Sequence, residues 1–193
     1  MKHFKKVVCS VGAIIAIVAG SMDTPKPTPR KAIGLVTING HSIGILHVSQ
    51  KALEIIGNAE ACRRTPYTCP AGLATDGIGN TKNVTGETKT DEQIAADWTR
   101  NIIAAQNCLI LNTDRDDMTQ GQFDAFTSFV FNVGCTRFMH NRDGTETRIY
   151  RKIKTHHFTA ACNELPFWVY GGGKKLPGLV KRRAKEQMLC LSE

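Results

Sequence analysis

The sequence predicts an α+β protein that is mostly helical, with a small sheet-and-loop lobe around residues 50–85 and a hydrophobic helix at its amino terminus. Three observations indicate this fold class: an uncharged apolar stretch near the start, helical apolar periodicity from residue 49, and a segment rich in Gly, Thr, Pro and Asn at 62–90. The 193 residues, 41% of them hydrophobic and 22% charged, suit one folded domain with a short appendage and exclude wholesale disorder.

Residues 1–22 are predicted to form an uncleaved, weak membrane anchor. Residues 1–6 are basic and residues 7–22 carry no charge, which is typical of an export signal. A helix over the uncharged stretch would span about 24 Å, less than the roughly 30 Å hydrocarbon core of a bilayer. The alternative is a signal peptide cleaved near Val18-Ala19-Gly20. Cys9 favours the anchor, because a discarded peptide has no use for a thiol.

Residues 23–48 are predicted to form a tether followed by a hairpin. Residues 23–31 alternate proline with polar residues, as extended and semi-rigid linkers do. Asn39-Gly40 lies between the apolar runs 35–38 and 42–46, and Asn-Gly in that position is a type I′ hairpin signal. The gap between the two runs is slightly longer than the usual two residues.

Residues 49–193 are predicted to form the folded domain, and polar residues mark where its helices begin. Ser49 can N-cap a helix, and capping boxes starting at Thr90 and Thr119 open two more. The aromatic and aliphatic residues at helical spacing after each cap are expected to fill the core. Two basic helices are expected to follow, around residues 145–164 and 177–190.

The net charge of +8 favours an anionic partner. Peptidoglycan carboxylates and anionic lipid fit an exported chain, whereas nucleic acid does not. For most of these charges taken singly, a solvated helix face is the plainer interpretation. The basic residues concerned include Arg63, Arg64, Lys181, Arg182, Arg183 and Lys185.

The export signal places the rest of the chain in an oxidising compartment, and the odd count of seven cysteines implies one thiol without a permanent mate. No pair is spaced C-x-x-C and no Cys/His cluster has zinc-ligand spacing, so neither a metal nor a cofactor is expected. His156 and His157 are interpreted as surface residues. The four later cysteines allow three pairings, of which their helix positions favour Cys108–Cys190 and Cys135–Cys162.

The strongest functional signal begins at Glu60. It follows a predicted helix among small, weakly polar neighbours, where a carboxyl group tends to keep its proton, as a general acid must. Eight residues separate Glu60 from Cys69, five more precede Thr75, and Asp76-Gly77-Ile78-Gly79-Asn80 follows. This pattern resembles the phage-type lysozymes (glycoside hydrolase family twenty-four), whose signature is Glu, eight residues, Asp or Cys, five residues, Thr and a Gly-Ile-Gly turn. The resemblance covers roughly residues 49–190 and implies a lysozyme-like fold.

The resemblance also implies a muramidase. Glu60 would protonate the leaving sugar oxygen between N-acetylmuramic acid and N-acetylglucosamine, and Thr75 would help to place the attacking water. Cys69 replaces the family's aspartate, and a thiol is a poor substitute for a carboxylate that stabilises positive charge, so the sequence leaves its catalytic role open. Two alternatives remain: a membrane-tethered peptidoglycan-binding protein without activity, and a lytic transglycosylase, which needs only one acid–base carboxyl group.

Within that family the cysteines resemble those of signal-arrest-release endolysins, which are caged by disulfide exchange. The resemblance implies that a Cys62–Cys69 bridge shuts the site, and that Cys9 attacks Cys62 and frees Cys69 once the anchor leaves the membrane. The chain would lie at the periplasmic side of the host inner membrane and then enter the periplasm as a monomer that lyses the host. The alternative is a purely structural Cys62–Cys69 bridge.

Overall fold

The computed structural model describes residues 7–23, 34–69 and 72–192. Its mixture of helices and short strands confirms the predicted α+β class. The chain divides into two compact units. We call residues 1–47 and 60–103 the strand unit, and residues 48–59 and 104–193 the helical unit.

Short antiparallel strands make up most of the strand unit. Its elements are α1 (Val11–Gly20), β1 (Met22–Asp23), β2 (Gly34–Ile38), β3 (His41–Leu46), β4 (Cys62–Thr68), β5 (Ala74–Ile78) and the first part of α3 (Asp91–Asn112). Strands β1, β2 and β3 form one sheet in that order, and β4 and β5 form another. The hairpin prediction is confirmed with a tighter turn. Only Asn39 and Gly40 join β2 to β3, with φ of 51° and 75°, as a type I′ turn requires.

Helix α1 packs against its own unit through its larger side chains. Ile14, Ile15 and Val18 are buried, and α1 contacts β2. In the part of the chain that the structure describes, no helix has the length and apolar character needed to cross a membrane. The anchor over residues 1–22 stays a prediction. The basic start, 1–6, and most of the tether, 24–33, lie outside the described residues.

The helical unit is built around α4. Its elements are α2 (Gln50–Asn58), the rest of α3, α4 (Gln120–Val133), α5 (Cys135–Met139), α6 (Arg148–Lys154), α7 (Phe158–Cys162), a 3₁₀ turn (Leu165–Phe167), β6 (Tyr170–Gly171), β7 (Lys174–Lys175) and α8 (Pro177–Leu191). Helix α4 contacts α2, α5 and α8. The core positions predicted for its apolar residues are confirmed for Phe123, Phe126, Phe129 and Val130, whereas Val133 is only half-buried. Both predicted capping boxes are present, at Thr90 and Gln93 before α3 and at Thr119 and Gln122 on α4.

Two helix predictions need correction. Ser49 precedes α2, but its side chain does not cap that helix. Its hydroxyl and its N–H both donate to the carboxylate of Asp124, because a buried carboxylate without donors costs more free energy than an uncapped helix end. The helix expected at 145–164 is divided into α6 and α7, because His156 has φ of 58°, a left-handed conformation that ends a right-handed helix.

The pairing favoured for the later cysteines is wrong. The structure joins Cys108 to Cys135 and Cys162 to Cys190, with Cα–Cα distances of 5.8 and 5.6 Å. Gly134, with φ of 83°, turns the chain after α4, so that Cys135 opens α5 beside Cys108. Helices α7 and α8 pack together, which brings the second pair within bonding distance. Helix order in the sequence does not reveal which helices are neighbours.

Two basic residues assigned to the surface are buried. The side chains of Arg182 and Arg183 are 3% and 1% exposed, and both pair with Glu186, which is fully buried. Arg182 also donates to the carbonyl of Ser128 at 3.0 Å, and Arg183 donates to the side chain of Asn132. These two arginines neutralise a buried carboxylate and are not available to the cell wall or to lipid.

Candidate active site

Glu60 lies beside the glycine turn of the sequence signature. It comes two residues after the end of α2 and two before the start of β4, and it is half-buried. A Cβ added at Gly79 would lie 3.5 Å from Oε2 of Glu60 and 3.7 Å from its Cδ. Gly79 also has φ of 67°, where a side chain would be strained. The turn therefore lies beside the carboxyl group, with room for no more than one added carbon between them.

Cys69 and Thr75 share one hydrogen-bond acceptor. The carbonyl of Leu73 accepts the N–H of Cys69 at 2.9 Å and the hydroxyl of Thr75 at 3.0 Å. Thr75 is 2% exposed, and Cys69 is half-buried in the thiol form. The structure thus brings these two predicted residues together at the loop that joins β4 to β5.

Tyr67, on β4, interacts electrostatically with Glu60 and Cys69, and it was not among the predicted site residues. The guanidinium carbon of Arg63 lies 4.2 Å from the centre of its ring. The pKa of the Tyr67 hydroxyl is raised, chiefly by burial and against the opposing charge of Arg63. Negative charge on Glu60, Cys69 and Asp76 raises this pKa further. No motif marked Tyr67, because its position depends on the register of the two strands.

A largely buried ion-pair cluster lies in the same unit. Asp76 is 1% exposed, and the ammonium of Lys89 lies 3.0 Å from its Oδ1 and 2.9 Å from its Oδ2. Lys89 also pairs with Asp97 at 2.6 Å, and Asn80 Nδ2 donates to Asp76 at 2.8 Å. The signature turn is marked in the sequence, whereas no motif marks Lys89 or Asp97. The available signal was Asp76, an acidic residue between Thr75 and Gly77 within a strand. A buried carboxylate requires a counter-ion, so its position indicated that a lysine or arginine lies nearby.

The amino-terminal segment is bonded to β4 by a disulfide and by its backbone. Cys9 is joined to Cys62, with a Cα–Cα distance of 5.2 Å. Arg64 N–H donates to the carbonyl of Val7 at 2.9 Å, and Cys9 N–H donates to the carbonyl of Cys62 at 3.3 Å. Val8 pairs antiparallel with the strand, so residues 7–9 extend the β4 edge.

One exposed cluster among the described residues has the composition of a cation site. One ligand atom from each of Asp114, Asp117 and His156 lies within 4.8 Å of the others. His156 Nδ1 is 2.7 Å from Asp117 Oδ2. The surface position predicted for His156 is confirmed. Exposed acidic groups of this kind are common without a metal, and we assign none here.

Comparison with known proteins gives one consistent result. The Phage lysozyme family model matches residues 57–186. The SAR-endolysin of Escherichia phage P1 is 46% identical over 155 residues, which are 77% of this chain and 84% of that protein.

Two solved structures are similar to this one. The crystal structure of the active form of P1 phage endolysin Lyz matches with a TM-score of 0.76 and 40% identity, covering 96% of this chain and 95% of that chain. The secreted inactive form of that endolysin matches with a TM-score of 0.54 and 45% identity, covering 75% of this chain and 95% of that chain. The fold is therefore lysozyme-like, as predicted.

Proposed function

Because the chain belongs to the phage lysozyme family and is a glycoside hydrolase of the endolysin type, we propose that it cleaves the β-1,4 bond between N-acetylmuramic acid and N-acetylglucosamine in peptidoglycan. Glu60 is the general acid in this proposal. It gives its proton to the leaving sugar oxygen while a water attacks the anomeric carbon from the opposite face of the ring. The observation that carries the proposal is the half-buried carboxyl group of Glu60 beside the signature turn, where a Cβ added at Gly79 would be in van der Waals contact with it.

Thr75 and Cys69 are proposed to help position the attacking water. Their shared bond to the Leu73 carbonyl fixes the spacing between them. The Thr75 hydroxyl donates its hydrogen bond to that carbonyl, which leaves its oxygen lone pairs as acceptors for a hydrogen of the water. A thiol cannot balance positive charge at the anomeric carbon as a carboxylate does. The proposed contribution of Cys69 therefore depends on its redox state, which decides whether its sulfur is bonded to Cys62 or is a thiol beside Thr75.

The second part of the proposal is activation by thiol–disulfide exchange. A Cys62–Cys69 disulfide closes the site in the membrane-held protein. After release, the thiolate of Cys9 attacks the sulfur of Cys62, a Cys9–Cys62 bond forms, and Cys69 leaves as a thiolate that takes up a proton. No oxidant is consumed. The Cys9–Cys62 bond in this structure and the thiol form of Cys69 support the released state.

The proposed location is the periplasmic face of the host inner membrane, followed by the periplasm, where the protein acts as a monomer on peptidoglycan. Helix α1 is apolar enough to prefer either lipid or its own unit to water, and three of its large side chains are buried in the structure. The net charge of +8 favours approach to peptidoglycan carboxylates and anionic lipid.

The proposed chemistry is tested with Glu60→Gln, assayed for release of muropeptides from purified murein. We expect the rate to fall about 100- to 10,000-fold, the range that a general acid contributes. Glu54→Gln is the matched control, because Glu54 is exposed on α2 and the substitution is the same. Mass spectrometry of the products should find reducing sugar ends. An anhydro sugar would indicate a lytic transglycosylase, and a wild-type rate for Glu60→Gln would reject the general acid.

The proposed activation is tested with Cys9→Ser. We expect an exported protein without activity, because the Cys62–Cys69 bond cannot be exchanged. The double variant Cys9→Ser/Cys69→Ser cannot form that bond, so its activity should return to the level of Cys69→Ser alone. Equal activity of Cys9→Ser and wild type would refute the exchange, as would a double variant that stays inactive while Cys69→Ser is active.

A further inference from the structure

The signature turn beside Glu60 is closed by its own backbone. Asp76 N–H donates to the carbonyl of Asn80, and Asn80 N–H donates to the carbonyl of Asp76, both at 2.9 Å. Between them Gly77 and Gly79 have φ of 53° and 67°. A small change in either end of such a turn moves Gly79, and a Cβ added at Gly79 would lie only 3.5 Å from Oε2 of Glu60.

Side chains hold both ends of this turn. Asn80 is 2% exposed and donates from Nδ2 to Asp76 Oδ1 at 2.8 Å. Lys89 reaches both oxygens of Asp76, at 3.0 and 2.9 Å. Burial alone would lower the pKa of the Lys89 ammonium, but its hydrogen bonds to Asp76 and Asp97 and their negative charges raise it overall. Lys89 is therefore a fixed cation at this position near neutral pH.

Lys89 also connects the turn to the strand that follows Glu60. Its N–H donates to the carbonyl of Arg64 at 3.0 Å, so its backbone is bonded to β4 while its side chain is bonded to Asp76. Glu60 lies two residues before β4. Lys89 is thus bonded both to the strand next to Glu60 and to the turn beside the Glu60 carboxyl group.

Asp76 does not contact the reacting atoms. The family's second carboxylate is absent at Cys69, and Asp76 is the nearest acidic residue in the sequence that could replace it. However, Asp76 is 1% exposed. Its Oδ1 accepts hydrogen bonds from Asn80 and Lys89, and its Oδ2 makes no hydrogen bond but lies 2.9 Å from the Lys89 ammonium. Its role is therefore exerted through the turn.

We propose that Asp76 and Lys89 form a positioning pair that holds the Gly77–Gly79 turn in the geometry in which Glu60 transfers its proton. This inference rests on the proposed function and extends it. It adds Asp76 and Lys89 to the residues on which the rate depends, although neither is proposed to act on the sugar or the water. Misplacement of a catalytic group by about 1 Å can reduce a rate about 100-fold.

The test is Lys89→Met, which removes the charge and keeps most of the aliphatic stem. Turnover is measured on soluble murein glycan strands at a temperature where circular dichroism shows a folded protein. We expect kcat to fall about 10- to 100-fold with KM changed less than about threefold, because the pair positions the acid and does not bind sugar. Lys89→Arg should regain most of the rate, since a guanidinium can pair with the same two carboxylates.

Lys82→Met is the matched control, because Lys82 is an exposed lysine in the same loop, and it should keep the wild-type kcat. If Lys89→Met does not fold, Asp76→Asn/Lys89→Met removes both charges without leaving one buried alone, and the same loss of kcat is expected. An unchanged kcat in a folded variant would overturn the proposal, as would a rise in KM alone. Glu60→Gln in parallel separates the two hypotheses, because its wild-type rate would reject the proposed function whatever Lys89→Met shows.

Discussion

Each unit buries a cluster of ion pairs, and the two clusters differ in depth. In the helical unit, Arg182, Arg183 and Glu186 are no more than 3% exposed. In the strand unit, the side chains of Lys89 and Asp97 are 12% and 28% exposed. The first cluster lies among packed helices, whereas the second reaches the surface. A charge in the deeper cluster cannot reach water when its partner is removed, so disruption of that cluster should mainly reduce stability.

The surroundings of the two clusters lead to the same expectation. Around the first, Phe129 packs edge-on against Phe138 and Trp168, with ring centroids 6.3 and 5.0 Å apart. Around the second, hydrogen bonds close the turn from Asp76 to Asn80, and the site candidates lie in that unit. We therefore expect substitutions in the helical unit to change stability, and substitutions in the strand-unit cluster to change rate.

The largest effect is expected for Glu186→Gln. It leaves two buried guanidinium groups without their carboxylate, and breaking a buried pair in this way costs about 3–5 kcal/mol of unfolding free energy. Urea denaturation measures the change. Glu54→Gln is the control on an exposed helix face and should stay within about 0.5 kcal/mol. A loss below about 1 kcal/mol for Glu186→Gln would contradict the difference in depth.

A second variant separates charge from packing in the same cluster. Glu186→Leu/Arg182→Met/Arg183→Met removes all three charges, and replacement of a whole buried cluster by apolar residues is often neutral or stabilising. We expect this triple variant to recover most of the stability lost by Glu186→Gln. If it is less stable than Glu186→Gln, the cluster contributes net stability and is not only a constraint on how the helices pack.

The next effect is expected from the disulfides, because one in the helical unit should affect stability and one in the strand unit should affect activity. Removing Cys108–Cys135 opens a loop of 27 residues and should cost about 3–4 kcal/mol by the loop-entropy estimate. Cys108→Ser/Cys135→Ser should keep its specific activity at temperatures where it is folded, whereas Cys9→Ser should lose activity. Thermal denaturation and murein turnover on the same samples measure both quantities. Inactivity of the folded Cys108→Ser/Cys135→Ser protein would contradict the division between stability and rate.

Local signals were sufficient for much of the helical unit. The caps at Thr119 and Gln122, and the apolar spacing that includes Phe126, depend on residues three or four apart, and the structure confirms them. Contacts between distant residues were not accessible in the same way. Cys135 meets Cys108, and Asp124 takes the hydroxyl of Ser49, only because of how the helices pack.

The candidate site shows the same limit. The spacing of Glu60, Cys69 and Thr75 marked it in the sequence, because the family signature records that spacing directly. Tyr67 and Lys89 were missed, since the first depends on the electrostatic surroundings created by strand pairing and the second lies thirteen positions after Asp76 in an irregular loop. Residues that hold a site in place carry no fixed spacing.

Asp124 gives a pH-dependent test in the helical unit. Burial raises its pKa, and hydrogen bonds from Ser49 and Gln120 offset that rise only in part. The folded protein then binds this proton more tightly than the unfolded chain, whose ordinary value is 3.8. The resulting stability is fully present below that value and is lost as pH rises through the folded-state pKa. Asp124→Asn should flatten this part of the pH dependence, above the ordinary value of 3.8, in urea unfolding. The exposed Asp116→Asn is the control, and an unchanged slope in Asp124→Asn would contradict the assignment.

The smallest effect is expected at the outer end of the strand-unit cluster. Arg100 is 57% exposed and pairs with Asp97 at 3.0 Å, while Asp97 keeps Lys89 at 2.6 Å. An exposed pair of this kind contributes little, so Arg100→Ala should change the unfolding free energy by less than about 0.5 kcal/mol and leave kcat unchanged. Urea unfolding and murein turnover measure the two quantities beside Lys89→Met. A loss of rate as large as that of Lys89→Met would mean that the summed charge of the cluster governs turnover. The contact between Lys89 and Asp76 would then not be the feature that controls the rate.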